Sequence, residues 1–203
     1  MDNKENTLEE PAIEYNGPYT YKDYLGFNFD EMVELIRGKI YKMSPAPGST
    51  HQKISNTISY IINRQIENNQ CLLFVAPYDV ILPVLDKKRE KAITVVQPDL
   101  SIICNPELIE ERGCFGVPDL IIEILSPHTS KKDLQLKYEV YEEAGVKEYW
   151  IVMPKEQILE IFVLDNEKYL RSGTFVFEDT IESTSVPGLK VSLEEVFKEK
   201  HLY

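Results

Sequence analysis

Cysteine is scarce. The 203-residue chain holds three, Cys71, Cys104 and Cys114, widely spaced and without a C-x-x-C pair. An odd, scattered set indicates neither a disulfide framework nor a zinc ribbon and reads as three buried, reduced thiols. Long hydrophobic runs are also missing. No stretch approaches the about 18 apolar residues of a membrane helix, and the opening MDNKENTLEEP has neither a basic nor an apolar leader pattern, so the expected location is the cytoplasm, with no membrane partner. Several familiar motifs are absent: G-x-x-x-x-G-K-[ST], G-x-G-x-x-G after a strand, H-E-x-x-H and G-x-S-x-G. P-loop nucleotide hydrolysis, dehydrogenation and zinc proteolysis therefore lose support. His51, His128 and His201 lie far apart and form no metal-ligand spacing.

Bases are few relative to acids, 22 against 34, for a net charge of −12. Uniform acidity would argue against a polyanionic partner, because phosphate contacts need concentrated Lys and Arg. The acids are unevenly spread, however. Residues 1–35 carry nine acids and two bases and residues 174–203 six and three, which leaves 19 acids and 17 bases in 36–173. A nearly neutral centre suits a metal-dependent site for anions, since carboxylates that hold a divalent cation are neutralised in use.

What is present is the ordinary mixture of a soluble globular chain: 43% hydrophobic and 28% charged residues. The length suggests one domain, read as 19–203 after a flexible acidic arm over 1–18. Met32, Leu35 and Ile36 suggest a short helix capped by Asp30 and running through Arg37, with Gly38 ending it; Lys39–Met43 follows as a strand. Ile54, Ile58, Ile61 and Ile62 recur at i, i+4, i+7 and i+8 and predict an amphipathic helix from about Thr50 to about Asn68. Apolar, β-branched runs then predict strands at 72–75, 80–84, 95–103 and 120–125. Ser130 opens a second helix, in which Leu136, Val140 and Ala144 form one stripe and Leu134, Tyr138 and Tyr141 the next, ended by Gly145. Strands at 148–153 and 158–164, a turn at Asp165–Asn166, strand residues at Tyr169 and Leu170, and a short last helix capped by Ser192 with Glu195 complete the reading. The order predicts an α/β fold, bordering on α+β, with a mixed sheet flanked by helices.

Two acids stand inside apolar runs: Asp99 in VVQPDLSII and Glu123 in PDLIIEIL. A buried carboxylate is costly unless paired, hydrogen-bonded or bound to a cation. Either acid alone could lie on a solvent face or at a strand end. Two on successive strands can converge, because neighbouring strands lie about 4.8 Å apart and their side chains can share one ion. Asp119 competes with Asp99 as partner, but within one strand it would stand about 13 Å from Glu123, too far to share a cation. Asp119, after Pro118, is better read as fixing the start of its strand by a turn hydrogen bond.

These segments carry a resemblance. VQPDLSII, GVPDLIIEILSP, D-x-x-x-K-x-x-x-Y and GVKEYWIVMP, with VELIRGKIYKMSPAPGSTHQKI upstream, resemble the Uma-two family, within the restriction endonuclease-like PD-(D/E)XK superfamily, from about Glu34 to Leu164. The resemblance implies a restriction endonuclease-like mixed central sheet and an Mg²⁺-dependent (or Mn²⁺-dependent) endonuclease acting on nucleic acid, with DNA as the expected partner. It also makes a homodimer plausible. The superfamily pattern is Pro-Asp, a gap, then acid-x-Lys. Pro98-Asp99 supplies the first part, but Glu123-Ile124-Leu125 lacks the lysine that holds or activates the attacking water. Lys137, four residues after Asp133, could deliver an ammonium from the following helix; its other reading is a surface ion pair with Asp133.

The resemblance thus implies Asp99 and Glu123 as metal ligands, with the Ile124 carbonyl, and Glu34 as a further acid of the metal shell and site. Lys137 joins them as the catalytic cation. Alone, Glu34 would be an ordinary surface glutamate. His51 and Gln52 match a family H-Q pair suited to a phosphate or a structural hydrogen bond. Ser126 reads as a turn or cap residue rather than a nucleophile, since no motif sets a histidine beside it.

Two other classes compete. One is a nuclease-fold module that has lost catalysis and binds nucleic acid or a protein partner; it predicts binding without cleavage under any metal. The other is a carboxylate-pair glycoside hydrolase, which predicts metal-independent turnover and an aromatic sugar groove. Trp150, in the apolar run EYWIV, reads as core and gives the second little help.

Overall fold

The computed structural model describes residues 18–29, 31–43, 47–83, 89–126 and 131–198, with backbone alone at 89 and 131–133. The expected N-terminal arm to residue 17, the Asp30 cap, His128, Ser130 and His201 lie outside the described residues, as does the Asp133 side chain. In chain order the elements are α1 (Tyr21–Tyr24), β1 (Val33–Ile36), β2 (Lys39–Lys42), α2 (Ser49–Ile66), β3 (Leu72–Val75), β4 (Val80–Leu82), β5 (Thr94–Val96), β6 (Leu100–Ile103), β7 (Ile109–Glu110), β8 (Gly113–Phe115) and β9 (Leu120–Ile124). Then come α3 (Lys131–Ala144), β10 (Glu148–Met153), β11 (Ile158–Asp165), β12 (Lys168–Phe175), β13 (Thr180–Glu182), β14 (Lys190–Ser192) and α4 (Leu193–Phe197). No helix among the described residues is long and apolar enough to cross a membrane.

The strands form two mixed six-stranded sheets, β2-β1-β5-β4-β8-β7 and β12-β11-β10-β9-β6-β3, and a small β13-β14 pair. In the second sheet β9 and β10 are parallel, so they need a crossover, and α3 supplies it. Strand alternation then sorts the side chains. Leu120, Ile122 and Ile124 of β9, with Trp150 and Val152 of β10, pack with the α2 isoleucines and with Leu193, Val196 and Phe197. Ile121, Tyr149 and Ile151 take the opposite face, with Val140 and Tyr141 of α3 and with Ile36, Val80, Leu82 and Val96 of the first sheet. Glu123 has the parity of Ile121, so β9 aims it at α3.

Three expectations are corrected. The helix expected through Arg37 is a strand, and Glu34 stands on it. Val33–Ile36 is buried at every position and pairs with β2, Ile36 opposite Lys39. An apolar pattern this short suits a buried strand as well as a helix. The deciding feature is the two-residue turn, with Arg37 at φ 49° and Gly38 at φ 75°. A Cβ at Gly38 would also stand 2.8 Å from the Pro18 Cβ.

The single strand expected over 95–103 is two. β5 pairs with β1 and β4 in the first sheet, whereas β6 pairs with β3 and β9 in the second. Pro98 carries no N–H for a ladder and sits at the break. Asp99 therefore lies where the chain passes from one sheet to the other, not inside a strand.

The cysteines are not three free thiols. Cys71 and Cys104 are joined in a disulfide, with Cα atoms 3.8 Å apart, and Cys114 alone is free and buried. The antiparallel pairing of Leu72 with Ile103 sets the two flanking residues face to face, which their separation of 33 positions conceals.

Candidate active site

The gap between β5 and β6, the end of β9, the hairpin strand β1, the first turn of α2 and the middle of α3 meet at one place. Glu34, Glu123 and Lys137 are all buried there, an arrangement that needs mutual compensation. The Lys137 Nζ lies 3.1 Å from Glu34 Oε1 and 3.1 Å from Glu123 Oε1. One ammonium thus bridges two carboxylates from different sheets. Glu34 Oε1 also accepts the Gln97 backbone N–H at 2.8 Å, and Glu123 Oε1 accepts the Tyr141 hydroxyl at 2.7 Å.

Asp99 is tied to the same cluster through its neighbours. Its Oδ2 accepts the Ile124 backbone N–H at 2.7 Å and faces the His51 Nε2 at 3.1 Å. His51 belongs to the first turn of α2 and is turned inward, while its Nδ1 is buried without a hydrogen-bond partner among the described residues. Gln97 is braced in turn: its side-chain amide donates to Asp79 Oδ1 at 2.7 Å, which also accepts the Tyr24 hydroxyl at 3.2 Å.

The electrostatics follow from this crowding. Burial pushes the Glu123 carboxyl up to about 7; Lys137 opposes the rise, Asp99 and Glu34 add to it, and the Tyr141 hydrogen bond opposes it. Burial would lower the His51 imidazole, but the hydrogen bond and charge of Asp99 outweigh it and raise it. Burial also raises Asp79, with Gln97 and Tyr24 working against the shift.

The four residues expected to form the site are thus assembled from β1, the β5–β6 crossing, β9 and α3. Lys137 is not confined to a surface pair with Asp133. The other candidates lie elsewhere. Asp119, at the far end of β9, accepts the Cys104 N–H at 2.7 Å and meets Lys147 at 2.6 Å, so it anchors a neighbouring strand rather than joining Glu123. Gln52 is exposed on α2. Trp150 is buried and donates to Glu148 at 2.7 Å, so it lines no sugar groove.

Sequence reading missed the contacts of Tyr141 with Glu123 and of His51 with Asp99. Tyr141 follows Lys137 by four positions and so shares its helix face, which could have pointed to the first. Nothing in the spacing points to the second.

Among the described residues no three His, Cys, Asp or Glu side chains come close enough to hold a metal ion by themselves. The donor set nonetheless suits one kind of ion. Each carboxylate commits a single oxygen to protein donors, leaving Glu34 Oε2, Asp99 Oδ1 and Glu123 Oε2 without one among the described residues. Mg²⁺ takes one or two carboxylates and fills the rest of its shell with water and phosphate oxygens. Mutual repulsion on Glu123 is the strain that such a cation relieves.

The described chain is thus a mixed α/β fold in which an acidic cluster and a lysine stand where the chain crosses from one sheet to the other. Residues 18–194 match the Uma2 family, described as "Putative restriction endonuclease", and the chain belongs to that family. It is 20% identical over 169 residues to an uncharacterized protein of Synechocystis sp., covering 83% of this chain and 84% of that one. Its fold is that of an Anabaena variabilis protein described as "a putative nuclease belonging to DUF820", with a TM-score of 0.71 at 21% identity over 89% of this chain and 98% of that one.

Proposed function

We propose that the protein is a divalent-metal-dependent endonuclease that hydrolyses phosphodiester bonds of nucleic acid, with DNA as substrate and Mg²⁺ or Mn²⁺ as cofactor. The observation that carries this reading is the Lys137 ammonium bridging Glu34 and Glu123, with Asp99 hydrogen-bonded to the residue after Glu123. Asp99 and Glu123 would hold the cation, with the Ile124 carbonyl, and Glu34 directly or through water. When bound, the cation supplies Lewis acidity toward the scissile phosphate and a lowered pKa for water.

The chain's own groups have separable tasks. Lys137, delivered from α3 in place of the lysine missing at Leu125, sets a positive charge where a phosphate oxygen or attacking water gathers negative charge. Tyr141 and Gln97 fix the inner oxygens of Glu123 and Glu34, so the outer oxygens keep one orientation. His51 and the Ile124 N–H do the same for Asp99. The Uma2 membership and the nuclease-like fold agree with this reading.

The test is nicking of supercoiled plasmid by wild type and Asp99→Ala with Mg²⁺, with Mn²⁺ and with chelator. Metal-dependent nicking by wild type alone is expected. Equal activity in both proteins, or activity in chelator, would remove the assignment. Metal-independent binding of nucleic acid without cleavage would instead favour a degenerate binding module.

A further inference from the structure

From Lys39 through Ile66 the chain runs 28 residues without an Asp or Glu, in a protein with 34 acids. Most of that stretch is α2. Its inner stripe, Ile54, Ile58, Ile61, Ile62 and Ile66, is packed into the core. Lys53, Tyr60 and Arg64, at i, i+7 and i+11, fall on the opposite side, with Asn56 and Asn63 beside them, and all five are exposed.

Several cations elsewhere are neutralised locally: Arg37 by Glu139 and Glu143, Lys42 by Glu31, Lys168 by Glu142, Arg171 by Glu160. Lys53 and Arg64 have no ion-pair partner among the described residues. The Arg64 guanidinium lies over the Tyr60 ring, 5.3 Å from its centroid, and Tyr60 is 64% exposed. A ring steadied by a cation and otherwise open to solvent is a stacking platform, not core. The first turn of the same helix carries His51, whose Nε2 lies 3.1 Å from Asp99 Oδ2, so one helix reaches both the site and this exposed face.

We propose that the outer face of α2 binds a single-stranded segment of nucleic acid, with phosphates against Lys53 and Arg64 and an unpaired base stacked on Tyr60. The inference rests on the nuclease reading and adds to it the form of the substrate and the path it takes. Lys53 and Arg64 are separated by about 16 Å along the helix axis, at 1.5 Å per residue, enough for several nucleotides. Charge decides the occupant: a chain of net −12 repels a polyanion over most of its surface, and α2 is the strip from which acids are missing. Tyr60 decides for a single strand, because a paired, stacked base does not offer its face.

The experiment is fluorescence anisotropy, in EDTA to prevent cleavage, with a labelled single-stranded oligonucleotide and a duplex of the same sequence. Wild type, Tyr60→Ala, Lys53→Ala with Arg64→Ala, and Lys155→Ala as an exposed control on another face are compared after their thermal midpoints are shown to agree. Tyr60→Ala should weaken single-strand binding by roughly 5- to 100-fold and leave duplex binding within about twofold. The double variant should weaken it too and lower the salt slope by about 0.7 for each phosphate it no longer neutralises. Lys155→Ala should change nothing. Equal binding by all four proteins, preference for duplex, or no binding of either oligonucleotide overturns the inference. Plasmid nicking separates it from its premise: nicking by wild type with unaltered binding in the α2 variants sinks the surface and keeps the nuclease. Tyr60-dependent binding without nicking keeps the surface and sinks the nuclease.

Discussion

Lys137 Nζ lies 3.1 Å from Glu123 Oε1, although the helix residue follows the strand residue by 14 positions. A lysine at Leu125 would have shared a strand face with Glu123; here the ammonium comes from a separate element that packs over that face. If it performs the task proposed, Lys137→Met should lower the nicking rate by roughly 10²- to 10³-fold, the usual effect of deleting one donor to a charged transition state. Leu125→Lys added to Lys137→Met should restore part of the loss. Single-turnover assays on the wild type and the two variants measure this. Wild-type rates in Lys137→Met would show that the ammonium only neutralises Glu34 and Glu123.

Glu123 makes the protein pH-sensitive in a stated direction. Its carboxyl is raised on folding from an ordinary 4.5 to about 7, so the folded chain keeps a proton that the unfolded chain has lost. That proton stabilises the fold fully below about 4.5, and its contribution disappears as pH rises through about 7. In chelator, this group should therefore lower the thermal midpoint between about pH 5 and about pH 8. Mg²⁺ competes with the proton, so its stabilising effect should be larger at the higher pH and should shrink in Glu123→Gln. Differential scanning calorimetry at both pH values decides it. An Mg²⁺ response independent of pH would count against Glu123 as a ligand.

In the proposed mechanism His51 acts through Asp99 rather than on substrate. Its Nε2 and the Ile124 N–H both engage Oδ2, which leaves Oδ1 as the free oxygen. Partners of this kind change metal affinity or activity by about 10- to 100-fold when removed. His51→Ala should raise the Mg²⁺ concentration needed for half-maximal nicking by that factor, and His51→Asn should recover part of it. A fall in maximal rate with no change in metal dependence would instead assign His51 to the reaction itself.

The legible parts of the fold were those governed by local periodicity. The isoleucines of α2 and the run at 148–153 each carry a pattern that a single segment must satisfy. Asp99 and Glu123 were legible as acids because burial makes a carboxylate in an apolar run expensive wherever it lies. What stayed hidden depends on long-range pairing. The change of sheet at Pro98, the meeting of His51 with Asp99 and the disulfide between Cys71 and Cys104 each require knowing which strands become neighbours. Val33–Ile36 failed for another reason: three apolar residues around one glutamate do not distinguish a period of 3.6 from a strand buried on both faces.

Glu148 supplies a test of stability apart from the site. It is fully buried at the start of β10, on the Trp150 side of the sheet. Its carboxylate accepts five hydrogen bonds, from Trp150 Nε1, Ser183 Oγ, Thr184 N, Thr184 Oγ1 and Ser185 N. These join the central sheet to the loop between β13 and β14, a connection that no other charged group makes among the described residues. Glu148→Ala leaves all five donors without that acceptor, and each buried neutral donor that finds no other partner costs about 1–3 kcal/mol, for a total of at least about 2–3 kcal/mol. Urea unfolding should show a loss of that size. Glu148→Gln keeps an acceptor oxygen and should lose less, though its amide N–H₂ then faces donors. Because Glu148 lies three positions before Ile151, the residue paired with Glu123, and on the other face of the sheet, protein that remains folded in the cold should nick at the wild-type rate. A loss of activity larger than the loss of folded fraction would mean that the C-terminal hairpin also positions the site.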